Sequence, residues 1–144
     1  MKVDIKRFET LSKIELYEIL KIRAEVFVVE QNCIYNDLDD KDLYSYHLTI
    51  KDDSKIVAYM RIYEKSDNKI SFGRVLVVFS GRGKGYAKKI INEAIVFIEK
   101  TWGKKSIVIE AQTYLQKFYK EFGFIAFSEE FLEDGILHIW MKRV

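Results

Sequence analysis

Hydrophobic and polar residues alternate with a period of two in some stretches of the chain and recur with a helical period in others. Alternation over Val3–Arg7 predicts a first strand, and short runs rich in β-branched and aromatic residues predict six more. These six runs are Tyr46–Ile50, Lys55–Tyr63, Lys69–Phe79, Ser106–Glu110, Phe124–Phe127 and Ile136–Met141. Apolar residues at helical spacing predict three helices, which gives the order β-α-loop-β-β-β-α-β-α-β-β.

Polar motifs mark where these helices begin and end. The capping box Ser12–Glu15 precedes a helix that runs to about Val29, and Thr113–Gln116 is predicted to cap the third helix, which ends at Gly123. Residues 30–42 are acidic and rich in turn-forming residues, which predicts a long loop with at most a short helical turn. Loops of this length in compact domains often carry function.

The segment Ser80–Ala87, between the predicted strand Lys69–Phe79 and the second helix, is rich in glycine and basic residues. The first amides of a helix lack intrahelical acceptors, and the helix dipole favours an anion there. Glycines let an anion approach the backbone. The glycines are Gly81, Gly83 and Gly85, and the basic residues are Arg82, Lys84, Lys88 and Lys89. The pattern predicts a phosphate-binding turn, with a structural turn bearing solvated lysines as the alternative, and its spacing fits neither a P-loop nor a dinucleotide fingerprint.

Composition narrows the class of protein. The chain has 144 residues, 49% hydrophobic and 15% aromatic, which predicts one folded domain over residues 1–144. Its net charge of +2 is too small to favour a nucleic-acid partner. The single Cys33 cannot form an internal disulfide, and neither a signal sequence nor a membrane span is readable, so we expect a cytoplasmic protein. No metal-ligand spacing is present.

Two short motifs and three longer stretches resemble one protein family. The pattern R-x-x-G-x-A at residues 82–87 fits the R-x-x-G-x-G/A signature of the GNAT superfamily of N-acetyltransferases. The pattern Y-x-x-x-G-F at residues 119–124 is similar to the tail signature of that family. Residues 23–33, 111–115 and 133–139 resemble the ElaA-like subgroup. The resemblance covers nearly the whole chain.

This resemblance implies an α+β fold in three layers, a mixed and mostly antiparallel sheet with helices on both faces. It implies acetyl-CoA as co-substrate and direct acetyl transfer to a primary amine. In the family, the glycine-rich turn binds the pyrophosphate, and the central strand contacts pantetheine and the thioester carbonyl. Carried over residue by residue, the cofactor contacts are Val75, Leu76, Val77, Arg82, Gly83, Lys84, Gly85, Tyr86, Ala87, Gln112 and Tyr119. Tyr119 stands where the family has the tyrosine that protonates the leaving thiolate.

The general base is left open by the sequence. The strand Lys69–Phe79 contains no carboxylate, so a base on that strand is excluded. The candidates are Glu30, His47, Glu110, Glu133 and His138, or a chain of water molecules. An unperturbed imidazole titrates near neutral pH, which favours considering the two histidines. Arg74 is expected to pair with acids of the long loop or to bind a carboxylate of the acceptor.

Two other functions remain compatible with the sequence. One is a non-catalytic module of the same fold that binds or senses acyl-CoA or serves as a protein partner, and the other is a phosphate-binding module for nucleotide or RNA. Four acids of the loop favour a cationic acceptor, either a small molecule or a peptide amine, and these acids are Asp37, Asp39, Asp40 and Asp42. The assembly is expected to be a monomer or a homodimer.

Overall fold

Eight strands and three α-helices carry the fold in the computed structural model, which describes residues 1–144. The strands are β1 (Lys2–Arg7), β2 (Tyr46–Asp52), β3 (Lys55–Ser66), β4 (Lys69–Val77), β5 (Ser106–Gln112), β6 (Ile125–Ala126), β7 (Phe131–Glu133) and β8 (Ile136–Arg143). The α-helices are α1 (Lys13–Arg23), α2 (Tyr86–Trp102) and α3 (Gln116–Lys120). A π-helix (Ala24–Glu30) continues α1, and four 3₁₀ turns cover Phe8–Thr10, Lys41–Tyr44, Phe79–Gly81 and Thr113–Leu115.

All eight strands belong to one sheet. Its order is β1-β2-β3-β4-β5-β8-β6, and β7 pairs with β8 beyond the end of β6. Every pairing is antiparallel except β4 with β5. The expectation of a mixed, mostly antiparallel sheet is therefore confirmed.

The two faces of the sheet bury different helices. On one face, α2 and α3 pack on a core that includes Met60 and Phe72, and we call this the α2 face. On the other, α1 and the π-helix pack on Tyr59 and Leu76 through Ile19, and we call this the α1 face. Helices on both faces confirm the expected layering. None of the helices is both long and apolar enough to span a bilayer.

Strand β4 changes course at Arg74. Between the pairs Tyr59–Leu76 and Arg61–Gly73, β4 contains one more residue than β3, which is a β-bulge. Arg74 has a φ of +51°, in the left-handed region that side chains rarely adopt. The ladder between β4 and β5 has already ended at Ile70, so this bulge lies in the part of β4 that borders the site described below.

The first predicted helix forms as expected at its start. Glu15 N–H donates to Ser12 Oγ at 3.0 Å and Ser12 N–H donates to Glu15 Oε1 at 2.9 Å, so the capping box is confirmed. The helical conformation reaches Glu30, one residue beyond the predicted end, but its last seven residues are π-helical.

The predicted cap at Thr113 is wrong. Residues Thr113–Leu115 form a 3₁₀ turn, α3 begins only at Gln116, and the buried Thr113 Oγ1 has no hydrogen-bond partner. The strand predicted over Phe124–Phe127 is also shorter, because only Ile125–Ala126 pair with β8. The three-residue β7 was not predicted, since it is too short for a readable alternation.

Candidate active site

A cleft of about 820 Å³ opens where β4 and β5 diverge. Cavities of this size are typical of small-molecule sites. Eleven of the residues expected in the site line it, and these are Glu30, Val75, Leu76, Val77, Arg82, Ala87, Glu110, Gln112, Tyr119, Glu133 and His138. Five do not line it, namely His47, Gly83, Lys84, Gly85 and Tyr86.

The edge of β4 that faces β5 has almost no strand partner. The parallel ladder consists of the pairs Lys69–Ser106 and Ile70–Ile107 and goes no further. In an antiparallel pair, alternate amides of a strand point to its partner and the others to the opposite edge. Strand β4 is paired with β3 as far as Val77, so the amides of β4 that do not bond to β3 point into the cleft. There they can donate hydrogen bonds to a bound ligand.

The glycine-rich turn leads into α2, whose N-terminus has no side-chain cap. Gly83 and Gly85 have φ values of +77° and +82°, and Gly85 is the N-cap of α2 without a side-chain hydrogen bond. No amide from residue 83 to residue 88 donates a hydrogen bond within the chain. Six free amides at the positive end of a 17-residue helix can bind an anion. Gly83, Lys84, Gly85 and Tyr86 therefore lie in this turn, at the side of the cleft lined by Arg82.

Arg82 connects this turn to the end of the π-helix. Its Nε donates to the carbonyl of Val77 at 3.1 Å, and its Nη2 donates to Oε2 of Glu30. The two side chains are 41% and 37% exposed, so the ion pair lies at the mouth of the cleft. The residue expected to bind phosphate and one candidate base are thus paired with each other.

Tyr119 projects from α3 onto the α2 face. Its ring packs against Phe72, Phe118 and Phe124, with centroid distances of 6.3, 5.3 and 5.8 Å. The residue is 5% exposed and lines the cleft, and its hydroxyl makes no hydrogen bond within the chain. Burial raises the pKa of the Tyr119 hydroxyl above its ordinary value. The group therefore keeps its proton at neutral pH and can donate it.

On the α1 face, two carboxyls line the cleft. Glu110 lies in β5 and Glu133 in β7, and both line the cleft. Burial, and then the contact with the Glu133 carboxyl, raises the pKa of Glu110 to about 7. Beside them His138 donates from Nδ1 to the Ile136 carbonyl at 2.8 Å, which leaves Nε2 free. Glu110 can therefore accept a proton near neutral pH.

His47 lies outside the cleft. It is 1% exposed, its Nδ1 accepts from the Tyr59 hydroxyl at 2.7 Å, and its Nε2 donates to the Asp42 carbonyl at 2.9 Å. Burial lowers the pKa of this imidazole. Both ring nitrogens are occupied within the protein, so the structure does not support the expected role of His47 as a base. The Tyr86 side chain is likewise buried, and its hydroxyl donates to Asp52 at 2.6 Å.

Three arginines hold the acidic loop against the α1 face. Arg23 is fully buried and donates to Asp37 and Asp42 at 2.8 and 2.6 Å. Arg61 donates to Asp42 and to both oxygens of Asp39, and Arg74 donates to Asp37 Oδ1 at 2.8 Å. The expectation that Arg74 pairs with loop acids is confirmed.

This network also changes the interpretation of the loop. Three of its four acids neutralise buried or half-buried arginines, so they do not form a free anionic surface for a cationic acceptor. Neither Arg23 nor Arg61 was predicted to be a partner of these acids. The available signals were Arg23 on the apolar stripe of the first helix and Arg61 as the one charge inside the run Ile56–Tyr63.

The loop is joined to the far side of the cleft by Cys33. Its Sγ donates to the carbonyl of Asp134, in the turn between β7 and β8, at 3.2 Å. Cys33 is 8% exposed and both residues line the cleft. The contact closes the wall of the cleft between the π-helix and the hairpin that carries Glu133.

Comparisons with known proteins agree with this geometry. Residues 12–144 match the family model described as an acetyltransferase (GNAT) domain. The chain is 39% identical to protein ElaA of Escherichia coli K12 over 137 residues, which cover 92% of this chain and 90% of that protein. The crystal structure of an acyl-CoA N-acyltransferase from Pseudomonas aeruginosa superposes with a TM-score of 0.94 at 34% identity, covering 100% of both chains. The crystal structure of E. coli ElaA has a TM-score of 0.92 at 36% identity, covering 99% of both.

Proposed function

The chain belongs to the GNAT acetyltransferase family, and on that premise we propose that it transfers the acetyl group of acetyl-CoA directly to a primary amine. Enzymes of this fold use acyl-CoA. The identity of the acyl group as acetyl, and of the acceptor as a primary amine, is what we propose in addition.

One observation carries the proposal, namely that the unpaired edge of β4 and the uncapped start of α2 belong to one region of the molecule. Val75, Leu76 and Val77 line the cleft together with Arg82 and Ala87 of the turn. A ligand with an amide-containing arm and a pyrophosphate would find strand amides for the arm and helix amides for the phosphates. Acetyl-CoA has both parts and supplies the thioester.

In the proposed reaction, each group of the cleft has its own role. Free amides of β4 hold the thioester and polarise its carbonyl, which stabilises the negative charge that develops on oxygen. The amine nitrogen forms a bond to the carbonyl carbon and the carbon–sulfur bond breaks. Tyr119, whose hydroxyl has no partner within the chain, gives its proton to the departing thiolate. The nitrogen loses one proton to a base on the acceptor side.

The acceptor side of the cleft lies on the α1 face. Trp140 and Tyr63 line it beside the two carboxyls Glu110 and Glu133. A lysine ammonium already lies over each of the two rings, 4.5 Å from the centroid of Trp140 and 5.3 Å from that of Tyr63, so it is the two carboxyls that favour a cationic group. A small or peptide amine fits this side better than it fits the acidic loop, whose charges are already paired.

Acetyl-CoA binding and thiol release test the proposal separately. Acetyl-CoA should raise the melting temperature, whereas ATP and NADH should not, because a ligand that binds only the native state stabilises it by mass action. Thiol release should then depend on an added amine, with spermidine, glucosamine and Nα-acetyl-lysine amide as three acceptors of different shape. Stabilisation by acetyl-CoA without thiol release from any amine would favour the non-catalytic sensing module instead. Equal stabilisation by ATP would favour a general phosphate-binding module.

A further inference from the structure

Glu110 and Glu133 reach the same part of the cleft from strands on opposite edges of β8. Glu110 pairs with Trp140, and Glu133 pairs with Ile136. Directly paired residues point to the same side of a sheet, and residues 136 and 140 of β8 share a side because they are an even number of positions apart. Both carboxyls therefore project from the α1 face, and each lines the cleft.

The Glu133 carboxyl is near enough to Glu110 to influence its protonation. Contact with Glu133 is, after burial, the main reason why the pKa of Glu110 rises to about 7. Two carboxylates in contact repel each other, so the pair holds one proton more firmly than an isolated carboxyl would. Lys41 and Lys65 act in the opposite direction, because their positive charges stabilise the ionised Glu110 carboxylate and so lower its pKa. Near pH 7 the pair can therefore both take up and release a proton.

We infer that Glu110 is the general base of the proposed acetyl transfer and that Glu133 is the residue that positions it and adjusts its basicity. This inference rests on the proposed function. As the amine nitrogen bonds to the thioester carbon, one nitrogen-bound proton passes to a carboxylate oxygen of Glu110. The carbon–sulfur bond breaks and the thiolate takes the proton of Tyr119 or of water, so charge and atoms balance.

The position of Glu110 favours it over the other candidates. It lies in β5, the strand that diverges from β4, and therefore borders the gap in which the thioester is expected. Glu30 is paired with Arg82 at the mouth of the cleft, and both ring nitrogens of His47 are occupied within the core. His138, with a free Nε2 in the same cleft, is the remaining rival.

The charged side chains that act on Glu110 come from three elements, and they are Glu133 of β7, Lys65 of β3 and Lys41 of the 3₁₀ turn before β2. His138 of β8 and Arg61 and Tyr63 of β3 line the same cleft. A pH profile alone would not separate these groups, so the test needs variants that remove one carboxyl at a time.

The first part of the test needs no acceptor. Carbon-13 NMR of protein labelled in the glutamate carboxyls would be recorded between pH 3 and pH 9. We expect the titration of one carboxyl to occur near pH 7 in the wild type, to vanish in Glu110→Gln, and to move towards the ordinary value of 4.5 in Glu133→Gln. Glu130→Gln, which makes the same chemical change on an exposed residue outside the cleft, should leave that signal unchanged. Titration of every carboxyl below pH 5 would overturn the inference.

The second part measures single-turnover acetyl transfer to whichever of spermidine, glucosamine and Nα-acetyl-lysine amide the wild type uses fastest. Glu110→Gln should lower the plateau rate by about two to four decades with acetyl-CoA affinity unchanged. Glu133→Gln should keep most of the plateau and move the acidic limb of the profile to lower pH. A Glu110→Gln protein with the wild-type rate and profile would overturn the inference, as would loss of the acidic limb only in His138→Gln.

The two parts also separate this inference from the proposed function. If the wild type acetylates none of the three amines, the proposed function fails and the base assignment falls with it. The NMR titration then still shows whether the carboxyl pair exists. If transfer occurs but Glu110 is dispensable, the base assignment fails and the proposed function stands.

Discussion

Arg82 and Glu30 are 52 residues apart in the chain and form an ion pair across the mouth of the cleft. The pair joins the glycine-rich turn to the end of the π-helix. Arg82 is the residue of that turn that is expected to bind phosphate. A phosphate that enters the cleft therefore has to compete with the Glu30 carboxylate for the guanidinium.

Substitutions of this pair should change acetyl-CoA affinity in opposite directions. Arg82→Ala should weaken binding about ten- to hundredfold, the loss of one or two charge-assisted hydrogen bonds. Glu30→Gln should strengthen binding by up to about fivefold, since exposed ion pairs are worth at most about 1 kcal/mol. Isothermal titration calorimetry would measure both, with Lys100→Ala at the other end of α2 as a control. Weaker binding in Glu30→Gln would mean that Glu30 positions Arg82 and does not compete for it.

Gly85→Ala tests the glycine-rich turn. A Cβ at position 85 would meet no atom within 4 Å, but φ is +82°, so the substitution should cost about 1–2 kcal/mol of stability through backbone strain. It should also weaken acetyl-CoA binding, because the new Cβ lies where an anion would approach the amides. Gly103→Ala, at the far end of α2, is the control for binding alone, because its backbone (φ +76°, ψ −158°) differs from that of Gly85 (φ +82°, ψ +8°) and alanine is strained more there. Equal effects of both variants on acetyl-CoA affinity would remove the turn from the site.

Tyr119→Phe removes one hydroxyl from a buried ring. The ring packs against three aromatic neighbours, so folding and acetyl-CoA binding should change little. If the hydroxyl protonates the thiolate, single-turnover transfer should slow by about two to four decades. The rate must be measured in a single turnover, because product release can hide a slower chemical step. A wild-type rate at every pH would show that Tyr119 serves only the core.

Glu110→Gln should stabilise the protein, and more so at higher pH. The pKa of Glu110 rises in the folded state from its ordinary 4.5 to about 7, so the folded state binds more protons than the unfolded state between these values. The wild type therefore loses stability as pH rises from about 4.5 to about 7, and glutamine removes that loss. Urea unfolding at several pH values would measure the difference in free energy of unfolding between Glu110→Gln and the wild type, which should widen through this window and be constant above it. A difference that is independent of pH would contradict the raised pKa.

Asp42→Asn should destabilise the fold strongly. Asp42 is 6% exposed and accepts hydrogen bonds from Arg23 and Arg61, so its loss leaves two buried guanidinium groups short of a counter-charge. Removal of one partner from a buried pair costs about 3–5 kcal/mol. Asp40→Asn is the control, because Asp40 is exposed and asparagine tolerates its φ of +67°. Urea unfolding of both variants checks the difference, and similar values would contradict a structural role for the network.

The elements that the sequence predicted are those with a local signal. Alternation, helical spacing, the capping box at Ser12 and the glycine-rich turn each depend on neighbours within a few residues. Thr113–Gln116 has the same local pattern as a cap, but the short turn buries Thr113 Oγ1 where no amide reaches it. Tertiary packing overrode the local preference at that position.

The arrangement of the site depends on contacts that no local pattern contains. Glu110 and Glu133 project from one face of the sheet because β5 and β7 both pair with β8, a relationship set by the topology of the sheet. The sequence named both residues among the candidate bases without indicating that they are a pair. In the same way, the acids of the loop could not be assigned to Arg23 and Arg61 before their side chains were seen buried beneath it.

The short ladder between β4 and β5 leaves few backbone hydrogen bonds across the middle of the sheet. Strands β1 to β4 and strands β5 to β8 are joined within the sheet by two register pairs alone, at Lys69–Ser106 and Ile70–Ile107. Otherwise the two half-sheets are held together by the side chains of the core on the α2 face. A molecule bound to amides of β4 and to side chains of β5 would add contacts between the two half-sheets on the other side of this junction. We therefore expect ligand binding to slow hydrogen exchange of the amides near these two register pairs.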